Sequence, residues 1–263
     1  MRSILIAVLI LQACAVDAAQ FDHGSWDTLL QNNVQVLEGG KATKVDYQGM
    51  AMARPALAEY LDHLAQIPRD QFDTWQKTEQ LAFLINAYNA WTVELILTRY
   101  PDLQSIKDIG TLFQSPWKMK FIPLLGEERS LDDIEHNLIR GSGRYNDPRV
   151  HFALNCASIG CPALKNQAYR QDILEVQLEE AVSLFLADKS RNRLHEGTLQ
   201  VSSIFKWYRE DFERGWRGAT TLAQFLALYR EDLGLSESQA GELTAGKLAI
   251  MFLDYDWKLN GTN

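Results

Sequence analysis

The sequence predicts an α+β fold in which helices dominate and pack around a small β-sheet. Long segments carry apolar residues at helical spacing, whereas alternating or β-branched runs are few and short. The 263-residue chain is 46% hydrophobic and 10% aromatic, which is enough to form a substantial core. Because no repeat, low-complexity tract or Pro/Gly/Ser-rich linker divides the chain, we predict one globular domain over residues 19–263.

The clearest helical segment covers residues 77–100 and stops before Pro101. It is apolar on almost every side, which is typical of a buried central helix. Other helices are predicted over residues 24–37, 55–65, 131–140, 171–189, 204–214, 220–231 and 237–245. A hairpin is predicted between residues 118–124 and 129–131, with short strands at 45–47, 150–154, 198–202 and 248–257.

Residues 1–18 have the pattern of a signal peptide. A basic residue precedes an apolar run over residues 3–11, which is too short to span a bilayer. Cleavage after Ala18 fits a small-x-small pattern, and lipid attachment at Cys14 is the alternative. Cleavage is favoured because Gln12 is bulky for a lipobox. We therefore expect a periplasmic or otherwise exported protein, with a lipid anchor at Cys14 as the second option.

The charge of the chain argues against two classes of partner. The formal net charge is -8, the pI is about 5.2 and there is no run of Lys or Arg, so nucleic acid is not an expected partner. After the leader, no stretch reaches the roughly 18 apolar residues that a membrane helix needs. No cofactor is expected, and a small molecule or a peptide is the expected ligand.

Three cysteines are present: Cys14, Cys156 and Cys161. Cys14 is removed with the leader or consumed by lipid, so the exported domain keeps two cysteines, five positions apart. In an oxidising compartment, these two can close a small disulfide that staples a loop. In the other interpretation Cys156 is a free nucleophile. The residues by themselves leave both interpretations open.

The segment over residues 150–162 favours a nucleophilic Cys156. The predicted strand at 150–154 ends just before the cysteine, and small residues follow, including Ser158. Small neighbours allow backbone N–H groups to approach a reacting oxygen. N–H groups at the start of a helix or nest there would also lower the pKa of the thiol.

A cysteine nucleophile needs a base. His151 would lie about 16 Å from Cys156 along an extended strand, which is too far for proton transfer. His136 follows Glu135 on a predicted helix whose packing against the strand end would bring the imidazole to the sulfur. We therefore predict His136 as the base. The spacing of His151, Cys156 and Cys161 lacks a fourth ligand, so no metal site is expected.

Two amides, Asn86 and Asn89, share a face of the central helix on either side of Tyr88. Buried amides destabilise a helix unless they are hydrogen-bonded. They would orient a catalytic group or a substrate carbonyl, or else satisfy a buried loop backbone. Two aromatic-acidic clusters, residues 207–212 beginning at Trp207 and residues 254–257, are typical either of a ligand groove or of a core with solvated acids.

Four segments together resemble the domain of unknown function 547 family, which occurs in bacterial exported proteins and in plant proteins. They lie within residues 75–215 and read FLINAYNA (83–90), IEHNLIR (134–140), HFALNCASIGCP (151–162), and KWY followed by DF (206–212). The resemblance implies no reaction. It implies that the pattern residues are Asn86, Asn89, Glu135, His136, Cys156 and Ser158.

The resemblance also implies that the first cysteine is the firmer of the two, because the second position is often Ser or Asp in the family. This favours a role for Cys156 beyond a disulfide. The chain departs from the family at Ala157, where Gly is usual, and at Gly160, where Ser is common.

The sequence predicts a thiol hydrolase or acyltransferase that acts on amide or ester bonds. Its candidate catalytic residues are Cys156, His136, Asn86, Asn89 and Glu135, and its candidate binding residues are Tyr88, Ser158, His151 and Trp207. The alternative is a non-catalytic module that binds a ligand or a protein and is stapled by a Cys156–Cys161 disulfide.

Overall fold

A computed structural model describes residues 20–111 and 114–262. The predicted signal peptide and the lipid site at Cys14 lie outside these residues. The N-terminal half consists of helices around one hairpin: α1 (Gly24–Asn33), β1 (Val34–Leu37), β2 (Ala42–Val45), α2 (Tyr47–Met52), α3 (Arg54–Ala65), α4 (Arg69–Thr74) and α5 (Lys77–Leu97). Residues 34–37 pair with β2 and are not helical as predicted, because β-branched Val34 and Val36 favour the extended form.

Helix α5 is the predicted central helix, and nearly every side chain from Gln80 to Leu97 is buried. It ends three residues before the predicted limit. Helix α3 packs beside it and α1 packs against α3, and the apolar faces of all three share one large hydrophobic cluster. The rigid, buried position of α5 makes it a platform for the loops that follow.

A hairpin and a π-helix come next. Strands β3 (Ile122–Leu124) and β4 (Glu127–Arg129) pair through a tight turn, where Leu125 and Gly126 both have positive φ. The π-helix (Asp133–Arg140) starts at the predicted Ser130–Asp133 capping pair. Its i→i+5 pattern continues to Gly141 N–H, which donates to His136 O at 2.8 Å.

The predicted strand over residues 150–154 is wrong, because Pro148–Phe152 is a 3-10 helix. Asp147 caps it by accepting from Arg149 N–H, and Pro148 occupies the first helical position. The buried Arg149 side chain then ties the helix to acidic groups on a later helix, Glu175 and Glu179. A 3-10 helix rises about 2 Å per residue, against about 3.3 Å in a strand, so the distance argument against His151 fails.

The C-terminal half forms a second layer of helices on a three-stranded sheet. Its elements are α6 (Leu174–Ala187), β5 (Arg193–His195), β6 (Thr198–Ser202), α7 (Ile204–Trp207), α8 (Arg209–Phe212), α9 (Leu222–Leu228), α10 (Arg230–Leu233), α11 (Glu237–Thr244) and β7 (Ala249–Leu253). Strand β6 is central, antiparallel to β5 and parallel to β7. Two predicted helices are each interrupted, at Tyr208 and at Tyr229.

The described sheets have only two or three strands, so the predicted helix-dominated α+β fold is confirmed. A second hydrophobic cluster fills the C-terminal layer, and Phe152 belongs to it. Its neighbours Val150, Ala153 and Leu154 belong to the first cluster. The segment that leads to Cys156 therefore lies where the two clusters meet. Among the described residues, no helix is both long enough and apolar enough to cross a membrane.

Candidate functional site

A cavity of about 220 Å³ opens between the π-helix, the loop over residues 155–161 (the cysteine loop), α7 and the segment after β7. Its lining includes residues that lie far apart in the sequence. Six of the candidate residues from the sequence line it: Tyr88, Glu135, His136, His151, Cys156 and Trp207. Asn86, Asn89 and Ser158 are not among the lining residues. The fold therefore brings together the side chains that carry charge, rings or sulfur and holds the amides outside.

The two amides of α5 each clamp a loop backbone. Asn86 accepts from Tyr169 N–H at 2.9 Å and donates to Tyr169 O at 2.8 Å. Asn89 accepts from Asn155 N–H and donates to Ala153 O, both at 2.9 Å. Asn89 thus fixes the backbone directly before Cys156, and both amides satisfy buried peptide groups.

The cysteine loop pairs with the C-terminal segment. Ile159 N–H donates to Lys258 O, and Gly160 N–H donates to Asp256 O, both at 2.8 Å. Ser158 is buried and pairs with Leu259 in an isolated bridge. Ala157 has φ +61°, in the left-handed region that favours glycine.

The sulfurs of Cys156 and Cys161 lie at disulfide distance, with the Cα atoms 6.0 Å apart. The Tyr255 hydroxyl contacts both sulfurs, at 3.2 and 3.1 Å. A disulfide sulfur can only accept, so the hydroxyl is the donor. The Tyr255 ring also explains Gly160, because a Cβ at this position would lie 2.9 Å from ring carbons.

His151 is buried at the cavity wall and belongs to a charged network. Its Nε2 lies 2.7 Å from Asp211 Oδ2, and its ring stacks on Tyr208 with 3.9 Å between centroids. Asp211 also accepts from Arg140 Nε and pairs with Arg214 at 3.2 Å. Burial alone would raise the pKa of Asp211, but hydrogen bonds from His151 and Arg140 outweigh it and hold the pKa well below its usual range.

His136 also lines the cavity, but other groups engage its ring nitrogens. Arg140 donates to Nδ1 at 2.7 Å, so this nitrogen accepts and a neutral ring carries its proton on Nε2. Nε2 lies 3.7 Å from Asp132 Oδ1. Within the described residues, no hydrogen bond joins His136 or His151 to either sulfur.

Glu135 is 6% exposed and stands at the cavity wall beside two tyrosines. The hydroxyls of Tyr88 and Tyr208 are both hydrogen-bonded to its carboxylate, and burial and this charge raise the pKa of both phenols. One turn earlier, burial raises the pKa of Asp132, and the negative charge of Glu135 adds to the shift. The π-helix therefore presents two carboxylates to the cavity.

Aromatic rings form one wall of the cavity, called the aromatic wall below. Trp207, Tyr255 and Trp257 contact one another, with ring centroids 4.5 to 5.6 Å apart. Trp117 packs edge-on against Trp257. Trp207 was a sequence candidate, whereas no local pattern places Tyr255 and Trp257 next to the cysteine loop. Their only signal was the aromatic-acidic run at 254–257.

Asp211 and Asp132 were also missed as site residues. Asp211 stood in the KWYREDF run (206–212), whose acids the sequence suggested were solvated. Asp132 lies four residues before His136, a spacing that places both on one face of a helix. Within the described residues, no group of three His, Cys, Asp or Glu side chains could hold a metal ion.

Comparison with known protein families gives one match. Residues 72–186 match the family described as "Protein of unknown function, DUF547". This part of the chain belongs to the DUF547 family. The predicted resemblance is confirmed, and three of its four segments lie within the match, whereas the fourth, at 206–212, lies beyond it. The DUF547 match includes α5, the π-helix and the cysteine loop, whereas Asp211 and the aromatic wall lie beyond its C-terminal limit. Searches of curated proteins and of solved structures found no match.

Proposed function

We propose that the chain is an exported thiol-dependent hydrolase or acyltransferase that acts on amide or ester bonds, with Cys156 as the nucleophile in its reduced state. One observation carries this proposal: His151, held by Asp211, lines the same cavity as Cys156. Cysteine, histidine and a carboxylate in this order form the arrangement that activates a thiol. The proposal differs from the sequence prediction in its base, which is now His151.

The choice of base follows from the hydrogen bonds. Asp211 occupies Nε2 of His151, so Nδ1 is the ring nitrogen that remains for proton transfer. His136 accepts a guanidinium N–H at Nδ1, and its Nε2 faces Asp132. A ring that is held in this way makes a poor base for a thiol. We therefore assign His136 to the cavity wall.

The proposed chemistry begins with thiol–disulfide exchange: a dithiol reductant supplies two electrons and two protons, is itself oxidised to a disulfide, and leaves Cys156 and Cys161 as two thiols. His151 accepts the Cys156 proton, and the thiolate attacks the carbonyl carbon. The leaving alcohol or amine takes a proton from the imidazolium, and water or another acceptor then releases the acyl group from sulfur. Asp211 keeps the ring oriented and stabilises the imidazolium.

Asn86 and Asn89, which the sequence made candidate catalytic residues, do not act as oxyanion donors in this scheme, because loop backbone groups occupy both amides. The Cys156 backbone N–H replaces them. It donates to Cys161 Sγ at 2.8 Å, and the release of that sulfur on reduction frees the N–H for a developing oxyanion.

A burst experiment with p-nitrophenyl acetate tests this function. The oxidised protein is expected to release no burst of p-nitrophenolate, whereas the reduced protein releases about one equivalent as its acyl-enzyme forms. Cys161→Ser is expected to give the burst without reductant, because Cys156 then has no disulfide partner. Cys156→Ala is expected to lower the rate about a thousandfold.

The control is Cys156→Ala under the same reductant, which measures background hydrolysis. Equal bursts from this variant and from the reduced wild type would contradict the proposal. Absence of a burst from both reduced wild type and Cys161→Ser, with the protein folded, would also contradict it.

A second candidate is a binding module whose cavity is shaped by the intact disulfide. The observation that favours it is the Tyr255 hydroxyl, which donates to both sulfurs and packs the closed disulfide against the aromatic wall. Such a module would keep its ligand affinity when oxidised and would show no burst in any redox state.

A further inference from the structure

Glu135 is a buried carboxylate without an ion-pair partner among the described residues. Only 6% of the residue is exposed, and the neutral hydroxyls of Tyr88 and Tyr208 are its hydrogen-bond partners among the described residues. Arg140 interacts with this charge, but its guanidinium is bonded to Asp211 and His136. Buried carboxylates are almost always paired with a cation, because burial of an unpaired charge is costly. A buried carboxylate without an ion-pair partner at a cavity wall points to a cation that the cavity receives.

The other charged groups that line the cavity support a cationic ligand. Asp132 adds a second carboxylate one turn away, and no lysine or arginine is among the lining residues. The two imidazoles have partners already: Asp211 for His151, and Arg140 with the more distant Asp132, 3.7 Å away, for His136. Two hydroxyls use only part of the roughly four acceptor sites of the Glu135 carboxylate, so acceptor capacity remains.

The aromatic wall suits the same kind of ligand. Ring faces attract cations, most strongly those of tryptophan. Trp257 already binds one, because Lys107 Nζ lies 3.5 Å from its ring centroid. Tyr255 contacts both sulfurs of the disulfide, and Trp207, which lies against Tyr255 and lines the cavity, is 47% exposed.

The volume of the cavity and the side chains that line it narrow the class of cation that it can bind. The volume of about 220 Å³ is smaller than the roughly 300–1,000 Å³ of pockets that enclose a whole drug-sized ligand. It suits one side chain or one alkyl chain. Among the described residues, no cluster of His, Cys, Asp and Glu suits a metal ion, so an organic cation fits better.

We infer that this cavity binds the primary ammonium group of an alkylamine-type ligand, with Glu135 and Asp132 as its acceptors and the rings of Trp207 and Tyr255, which Lys107 does not occupy, as its ring wall. The inference deepens the proposed function by naming an amine-bearing substrate class. The ligand is a substrate only if the proposed function holds, whereas binding of the ammonium group does not require a free thiol.

The test is a calorimetric titration of the oxidised full-length protein at low salt with n-butylammonium chloride, 1-butanol, sodium butyrate and N-acetylglucosamine. We expect n-butylammonium to bind at least about tenfold more tightly than 1-butanol, with no detectable binding of butyrate. Glu135→Gln keeps an acceptor for the tyrosines and is expected to weaken ammonium binding about tenfold. Trp207→Leu is expected to weaken it about threefold.

Glu128→Gln is the matched control, because Glu128 is exposed on β4 and is not among the lining residues. Its affinity should equal that of the wild type. Tighter binding of N-acetylglucosamine or 1-butanol than of the ammonium, or unchanged affinity in both Glu135→Gln and Trp207→Leu, overturns the inference. Because the disulfide stays closed, these outcomes are independent of the ester burst.

Discussion

Replacement of Asp211 by alanine is expected to lower the free energy of unfolding by about 3–5 kcal/mol. The carboxylate is 7% exposed and accepts from His151 and Arg140, while Arg214 pairs with its other oxygen. Without it, the buried His151 and Arg140 lose their shared partner in the low-dielectric interior. Urea unfolding at pH 7 of the variant and the wild type measures the loss.

The same replacement should change the dependence of stability on pH. The folded-state pKa of Asp211 is held below its usual value of 3.8, so its contribution is complete above that value and is lost as the pH falls through the folded pKa. The variant should therefore lose less stability on acidification than the wild type. Exposed Glu210→Ala is the control and should change stability by less than about 0.5 kcal/mol. A loss below about 1 kcal/mol for Asp211→Ala contradicts the role of the network.

Alanine at Asn86 or at Asn89 is expected to cost about 1–3 kcal/mol each. Each amide pairs with a peptide N–H and a peptide C=O, so truncation leaves two buried backbone groups without partners. Asn89→Ala should also loosen the cysteine loop, and we expect amide hydrogen exchange at Asn155 to accelerate in that variant and not in Asn86→Ala.

Exposed Asn32 provides a matched control for both amides, since Asn32→Ala removes the same atoms from the surface of α1. Its effect should stay within about 0.5 kcal/mol. Losses of that size in both Asn86→Ala and Asn89→Ala contradict the clamping role.

Local sequence patterns predicted correctly those helices and strands that are stabilised by their own capping residues or are buried on nearly every side. The central helix, the capped start of the π-helix and strand β6 follow directly from periodicity and from capping residues. The strand prediction for residues 150–154 was wrong because it followed only the apolar, β-branched composition of the segment. Asp147, Pro148 and the ion pairs of Arg149 outweigh that preference, and only the last of these depends on tertiary structure.

The site was predicted in part. Cys156, Glu135 and His136 stand in short patterns that can be recognised along the chain, and all three line the cavity. The partnership of His151 with Asp211 joins residues 60 positions apart, and that of Cys156 with Tyr255 joins residues 99 apart. Such pairs depend on the packing of the two hydrophobic clusters, which no local spacing encodes.

The most direct test of the central claim is the pH profile of Cys156 alkylation by iodoacetamide in Cys161→Ser, alone and combined with His151→Ala or His136→Ala. We predict that His151→Ala raises the apparent thiol pKa, because loss of an adjacent imidazolium removes stabilisation of the thiolate. His136→Ala should leave the apparent pKa close to that of the parent. A shift in His136→Ala only, or in neither variant, would contradict a Cys156–His151–Asp211 site.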